Sequence, residues 1–216
     1  MPNTSPLTQA DLAGFLIAHA GMRIEYGRLA EAARRATDPA HIALLEDQIE
    51  LVTSTLHAHH NGEDSAIWPR LRARAPEAVA ELDRLEAEHD EVDPLIARAA
   101  DTTLPLSVRA DALADLHTLI NAHLDREERV AVPLIYRHIT RAEWDALADH
   151  VSRETPRRRQ PILFGWLASC ATPEQREAAL ATVPALARVL FKLFWWPSYR
   201  RRIQAMYGAD VALAVA

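Results

Sequence analysis

One sequence pattern occurs twice in the chain: HHNGEDSAIWP at residues 59–69 and HLDREERVAVP at residues 123–133. In both copies a histidine precedes a glutamate by four positions, an acidic residue follows the glutamate, and a proline comes six residues after it. On a helix, positions i and i+4 lie one turn apart on the same face. The pattern therefore predicts that two helices each present one imidazole and one carboxylate to a shared site.

The first copy contains two adjacent histidines, and the repeat decides between them. His59 aligns with His123 and continues the apolar stripe that precedes it. His60 would pair instead with Asp64, beside that stripe. We therefore expect His59 and Glu63 to face inward, and we rank the pair of His60 and Asp64 second.

The two copies belong to a series of four long helical patterns, at about residues 8–37, 39–74, 76–100 and 107–138. Prolines at positions 39 and 76 stand where a helix can begin but not continue. Apolar residues recur at spacings of three and four, as in a bundle seam, and no stretch with the period of a strand competes with them. Because the connections are short, successive helices are antiparallel. The sequence predicts an all-α, up-down-up-down four-helix bundle.

Histidines and glutamates interrupt seams that are otherwise apolar. His19 and His89 lie on the first and third seams, and no lysine or arginine occupies a seam position that could neutralise Glu63 and Glu127. A buried carboxylate costs several kcal/mol unless it is paired or bound to a metal, so the seams predict a bound cation. At a rise of about 1.5 Å per residue, His123 is several Å out of level with the others, and an overhanging fourth helix or a climbing loop would absorb this difference.

This order of segments, H, HxxxE, H and HxxxE on four helices, resembles the hemerythrin-like family of HHE cation-binding domains over about residues 8–138. The resemblance implies a non-haem centre of two iron ions joined by an oxo or hydroxo bridge. The ligands that it implies are His19, His59, Glu63, His89, His123 and Glu127. Residues that could support those ligands are Tyr26, His60, Asp64 and Glu128. Imidazole and carboxylate suit iron, zinc or manganese, whereas magnesium and calcium disfavour imidazole.

The chain departs from oxygen-carrying hemerythrins, which place two histidines one turn apart on the third helix and an HxxxxD motif on the fourth. Here Leu85 and Asp93 flank His89. Fewer imidazoles leave more open coordination positions, which favours an oxidoreductase that reacts with peroxide, O2 or nitric oxide in stress chemistry over reversible O2 carriage. The alternative is a non-enzymatic iron-binding or O2- and redox-sensing module. The pattern assigns no catalytic residue beyond the ligands.

Composition restricts the remaining function classes. The single cysteine, Cys170, excludes a disulfide framework and a multi-thiolate metal site within one chain. A formal net charge of −6 argues against nucleic acid as a partner. No basic and apolar export segment stands at the N-terminus, so a cytoplasmic protein is expected. The expected partner is a peroxide or a small diatomic ligand of the metal site.

The sequence predicts a helical extension after the bundle, at residues 139–216. Thr140 with Glu143, and Thr172 with Gln175, have the spacing of capping boxes that begin two of its helices. Aromatic residues concentrate beyond residue 160, which predicts packing on the bundle or on a partner and leaves a homodimer open. Contact with a membrane surface is the less favoured alternative, and no apolar run reaches the roughly 18 residues of a spanning helix.

Overall fold

The protein is helical, as predicted. Its structure, a computed structural model, describes residues 5–154, 156–182 and 185–208. Residues 209–216 of the predicted extension lie outside the described residues. Within the described ranges there is no β-strand, only an isolated bridge between Pro6 and Thr140. The predicted all-α class is confirmed.

Four antiparallel helical segments form the bundle. They are α1 (Ala13–Arg35), α2 continued by α3 (Pro39–Gly62 and Trp68–Arg74), α4 (Val79–Ala100) and α5 (Leu106–His138). α1 packs against α2 and α5, and α4 packs against the same two helices from the other side. Each helix therefore contacts its neighbour in sequence, as short connections require.

The second segment contains a wider turn that the periodicity does not predict. A π turn at Glu63–Ile67 joins α2 to α3, and the backbone N–H of Trp68 donates to the carbonyl of Glu63. Pro69 follows directly, and it has no N–H to donate. In a regular α-helix its ring would also clash with the carbonyl four residues earlier. The wider turn relieves that conflict, and it begins at a predicted metal ligand.

α1 begins at Ala13 rather than near residue 8. The backbone N–H and the hydroxyl group of Thr8 both donate to the carboxylate of Asp11, each at 2.7 Å. This local hydrogen bonding offers the backbone a turn in place of the first helical turn.

Two apolar clusters fill the bundle, one toward each end. One cluster includes Met22, Leu56, Val92 and Ile120, and the other includes Leu12, Ile67, Leu85 and Ala131. On every helical segment the predicted ligands fall between a member of one cluster and a member of the other. The histidines and glutamates therefore form a polar layer between two apolar layers.

The mismatch in height between His89 and His123 is resolved by an overhang of α5. Their Nε2 atoms lie 3.3 Å apart, so the two residues are level. Since α5 has about six more residues on the Leu106 side of His123 than α4 has after His89, it extends roughly 9 Å past the end of α4.

Further helices follow the bundle. They are α6 (Arg141–Glu154), α7 (Gln160–Cys170), α8 (Pro173–Thr182), α9 (Ala185–Leu190) and α10 (Trp196–Tyr207), with a second π turn at Phe191–Trp195. Both predicted capping boxes are present. The N–H of Thr140 donates to Glu143 at 2.9 Å, and that of Thr172 donates to Gln175 at 2.9 Å.

α7 and α10 pack closely on α1 and on each other. Trp166 of α7 is fully buried against Gly21 of α1, and Tyr199 of α10 lies against Gly165 of α7. A Cβ atom at either glycine would overlap the ring beside it, so both contacts depend on the missing side chain. Within the described residues, no helix combines the length and the apolar composition needed to cross a bilayer.

Glu143 should stabilise the start of α6 in a pH-dependent way. Its carboxylate accepts from both terminal nitrogens of Arg74, at 2.9 and 2.6 Å. It also accepts from the backbone N–H of Thr140, the residue before α6. The hydrogen bonds from Arg74, with those from Thr140, lower the pKa of Glu143 from 4.5 to about 2. The stabilisation is therefore present above pH 4.5 and is lost as the pH falls toward 2.

We expect Glu143→Gln to lower the free energy of unfolding by about 1–2 kcal/mol at pH 7. In urea titrations at several pH values, the difference from the parent chain should shrink below pH 4.5. The control Asp145→Asn removes an exposed carboxylate on the same helix and should change stability by less than about 0.5 kcal/mol. A difference that is constant with pH would contradict the assignment.

Candidate metal centre

The polar layer brings together side chains from all four bundle segments. Their ligand atoms fall into two groups, and within each group all of these atoms lie within 4.8 Å of one another. One group is His60, His89 and His123; the other is His19, His59, Glu63 and Glu127. All six predicted ligands are therefore in the layer, and His60 joins them as a seventh donor.

Two of the three histidines, His89 and His123, have the spacing of ligands around one ion. His89 Nε2 and His123 Nε2 lie 3.3 Å apart. Two nitrogens at about 2.1 Å from a common metal, at angles between a right angle and a tetrahedral one, are separated by about 3.0–3.4 Å. The His60 ring stacks nearly parallel on that of His89, with centroids 3.9 Å apart and 5° between the planes, so its ring must turn before its lone pair can point at the same ion.

The second group repeats this geometry on α1 and α2. His19 Nε2 and His59 Nε2 lie 3.2 Å apart. Glu127 Oε2 is 3.7 Å from His19 Nε2 and 3.9 Å from His59 Nε2. A cation between these atoms would therefore have two nitrogen donors and carboxylate oxygen within reach.

The two carboxylates lie between the groups. Glu63 turns Oε1 toward His59 Nε2, at 3.4 Å, and Oε2 toward His89 Nε2, at 3.7 Å. Glu127 Oε2 is also 3.6 Å from His123 Nε2. Each carboxylate thus faces a histidine of both groups, which is the arrangement needed to bridge two ions.

Carboxylates behind three of the histidines determine which ring nitrogen carries the proton. His19 Nδ1 lies 3.0 Å from Glu128, and His89 Nδ1 lies 2.9 Å from Asp64. His123 Nδ1 lies 3.1 Å from Glu88. Since a carboxylate only accepts, each Nδ1–H donates, and Nε2 is left with a lone pair that points into the layer.

These proton positions favour a proton or a metal cation between the ring nitrogens. His89 Nε2 and His123 Nε2 face each other at 3.3 Å, and both carry lone pairs once their Nδ1 atoms are protonated. Two lone pairs at hydrogen-bond distance repel unless a proton or a metal ion lies between them. On the other side His19 Nε2 faces His59 Nε2, and this contact is favourable when His59 carries its proton on Nε2 or when a cation lies between the two nitrogens.

Arginines on the bundle surface hold two of the supporting carboxylates in place. Arg23 donates to Glu128 at 3.2 Å and to Asp125 at 2.7 Å. Arg126 forms an ion pair with Glu88. These two arginines therefore pair with the outer carboxylates and not with the buried Glu63 and Glu127.

Three of the buried side chains in the layer have ligand atoms without a hydrogen bond. Neither ring nitrogen of His60, and none of the four carboxylate oxygens of Glu63 and Glu127, has a hydrogen-bond partner among the described residues. His60 is 3% exposed, and the two glutamates are 2% and 0% exposed. Buried polar atoms are otherwise almost always hydrogen-bonded, so this concentration fits residues that bind metal.

Burial keeps the imidazoles in the form that binds metal. It lowers the pKa of His59 and of His123 from 6.5 to about 4, and it lowers the pKa of His60 as well. Burial, together with the charge of Glu127, raises the pKa of Glu63. At neutral pH His59, His60 and His123 are therefore neutral, and the two glutamates compete to carry negative charge in one apolar enclosure.

The supporting residues expected from the sequence have different positions. Asp64 and Glu128 contact ligands, as described above. Tyr26 lies in an apolar cluster, where its hydroxyl group donates to the carbonyl of Val52 at 3.0 Å rather than to a ligand. Glu88 was missed, although it stands beside a seam histidine as Asp64 and Glu128 stand beside seam glutamates. An acidic residue adjacent in sequence to a buried ligand was the available signal.

Two consecutive acidic residues of the π turn contact the same histidine. Glu63 Oε2 faces His89 Nε2, while Asp64, the next residue, accepts from Nδ1 on the other side of the same ring. Glu127 and Glu128 contact His19 in the same way from a regular stretch of α5, so the arrangement does not depend on the wider turn.

Comparison with known proteins agrees with this geometry. The family model described as the hemerythrin HHE cation-binding domain matches residues 14–135, more than half of the chain. The match includes all seven residues of the two groups. Comparisons with curated proteins and with solved structures find no significant match.

Removing one buried carboxylate should stabilise the metal-free chain. Folding raises the pKa of Glu63 above 4.5. The metal-free chain therefore loses stability progressively as the pH rises above 4.5 and this carboxyl group ionises. In chelator-treated protein at pH 8, we expect Glu63→Gln to raise the free energy of unfolding by about 1–3 kcal/mol, with a smaller gain at pH 5.

Urea titration of the chelator-treated variants checks this expectation. The control Glu91→Gln removes an exposed carboxylate of α4 and should leave the free energy of unfolding nearly unchanged. If Glu63→Gln destabilised the metal-free chain at both pH values, the carboxylate would have a favourable partner that requires no cation.

Proposed function

Since this chain belongs to the hemerythrin HHE cation-binding domain family, we propose that it holds two iron ions in the polar layer and reacts there with a peroxide or a small diatomic molecule. The observation that carries the proposal is the division of five imidazoles, all buried except the partly exposed His59, into two groups that face the same two buried carboxylates. One ion would lie among His60, His89 and His123. The other would lie between His19 and His59, with Glu63 and Glu127 reaching both.

The donor chemistry supports iron. Five imidazoles and two carboxylates form a nitrogen and oxygen set without thiolate, which suits iron and disfavours magnesium and calcium. Zinc and manganese accept the same donors, so metal analysis must decide among them. The fit itself rests on the unpaired nitrogens of His60 and the unpaired oxygens of Glu63 and Glu127.

The unequal number of imidazoles locates the reactive position. With His60 included, the layer offers five imidazoles rather than the four expected from the sequence. Three belong to one group and two to the other. The ion at His19 and His59 would have one imidazole fewer, so we propose that the small ligand binds there, at one ion rather than at both.

The protein's own residues provide the conditions for this chemistry. A ferrous pair supplies, when bound, the two electrons that cleavage of a peroxide O–O bond needs. Phe15 packs against both imidazoles at the open side, with ring centroids 4.2 Å from His19 and 5.1 Å from His59, and limits the access of water. Glu128 holds the His19 ring in one orientation and one tautomer.

Metal content tests the ligand assignment. We expect two ions per chain in the parent protein, and His60→Gln should lower the affinity for one of them by at least about tenfold or remove that ion. His57→Gln is a matched control three residues away, because the His57 side chain is 66% exposed. Elemental analysis and metal titration measure both. Two ions held equally tightly by His60→Gln would exclude His60 as a ligand.

Peroxide consumption distinguishes an enzyme from a sensor. The iron-loaded protein should consume hydrogen peroxide over repeated turnovers, with one peroxide reduced to water and a second returning the two electrons as it is oxidised to O2, and Glu127→Gln should slow O2 evolution by at least about tenfold. A sensing module is supported by one contact, since Gly21, two residues after His19, packs on Trp166. Little turnover, together with a large change in tryptophan fluorescence on metal binding, would favour the sensor over the enzyme.

A further inference from the structure

An apolar cleft lies between the bundle and the helices that follow it. It has a volume of 350 Å³, and we call it the inner cleft. Phe15 and Ala18 of α1 form one wall, Trp144 of α6 and Leu163 of α7 form another, and its inner end is formed by His59 and Glu63. The cleft therefore ends at the candidate ion position that has fewer imidazoles.

The inner cleft is larger than a peroxide or a diatomic gas requires. A water molecule occupies about 30 Å³ of liquid, and an apolar cavity of about 150 Å³ is enough for benzene. The inner cleft therefore has room for an organic molecule of roughly ten to fifteen non-hydrogen atoms. It continues into an outer cleft of 470 Å³, and the two share Gly14, Gln160, Phe164 and Leu167 as lining residues.

The charges along the inner cleft restrict the chemistry of such a molecule. Its acidic lining residues are Asp11 and Glu63, and among the described residues that line it none is lysine or arginine. In the metal-free chain an anionic head group at the inner end would meet the carboxylate of Glu63 and no lysine or arginine of the lining, whereas Arg176 lines only the outer cleft. Since the remaining lining is mostly apolar, a neutral molecule fits best.

Gly14 indicates that this space is kept open. It lies in the first turns of α1, where glycine costs up to about 1 kcal/mol relative to alanine. A Cβ atom at Gly14 would have no neighbour within 4 Å. The residue lines both clefts, so a larger side chain there would project into the passage between them.

We propose that the inner cleft binds a neutral, largely apolar organic molecule of about ten to fifteen non-hydrogen atoms, with one end against His59 and Glu63. Its use as a substrate rests on the proposed metal centre; its binding does not. A primary alcohol with an unbranched chain is a suitable probe, since the chain matches the apolar walls and the hydroxyl group matches the polar inner end.

Calorimetric titration of the full, iron-loaded chain with 1-alkanols from butanol to dodecanol tests the proposal. Affinity should rise about fourfold per added methylene until the cleft is filled and then level off. Decanoate should bind the chelator-treated chain at least about tenfold more weakly than decanol does, because no metal ion is then present to attract its carboxylate. Affinity that does not depend on chain length, or decanoate that binds the chelator-treated chain as tightly as decanol does, would overturn the proposal.

Variants at Gly14 locate the binding site. Gly14→Phe should weaken decanol binding by at least about tenfold, whereas Gly14→Ala, which adds one methyl group, should keep the affinity within about threefold. Gly14→Leu serves as the second filling variant if Gly14→Phe does not fold, because leucine favours the helix. Unchanged decanol affinity in a folded filling variant would overturn the proposal.

Other occupants of the cleft have different signatures. A chain that dimerises, and that becomes monomeric in Gly14→Phe, would show that a second copy covers the cleft. Decanol binding that appears only after truncation at Gly208 would show that residues 209–216 occupy it. Either result would overturn the proposal. Alkanol binding by a chain that takes up no metal would refute the proposed metal function alone, whereas metal uptake without alkanol binding would refute the cleft alone.

Discussion

Two carboxylates, those of Glu63 and Glu127, lie in the centre of an apolar bundle without a hydrogen bond or a neighbouring lysine or arginine in the described structure. Ionised groups in such a place cost several kcal/mol, and this cost is offset only when a cation shares their enclosure. Other features of the layer respond to the same constraint. The histidines face inward as lone-pair donors, carboxylates behind three of them hold their protons on the outer nitrogen, and arginines stay outside. The apolar clusters on both sides limit the water that could solvate the carboxylates of Glu63 and Glu127.

Much of this arrangement could be predicted from the sequence. The spacing of His59 to Glu63, and of His123 to Glu127, reports directly on one helix face, because the α-helical period is the same in every protein. The four-helix class follows from seam periodicity and proline positions. These are local properties, and each is visible within about ten residues of sequence.

The remainder depends on interactions that a helical period does not contain. His60 lies beside the seam in a regular helix, yet it reaches the layer three residues before a π turn. Glu88 supports a histidine 35 positions later in the chain, so its role depends on how α4 and α5 are aligned. The inner cleft needs α6 and α7 over α1, and that packing depends on Gly21 and Gly165 meeting aromatic rings. Such contacts follow from the assembled structure.

The central claim is that two metal ions occupy the polar layer and share Glu63. Anomalous diffraction at the iron absorption edge, from crystals of the iron-loaded protein, tests it most directly. The account predicts two peaks, one among His60, His89 and His123 and one beside His19 and His59, with Glu63 touching both. A single peak, or a layer of unchanged geometry without any peak, would contradict it.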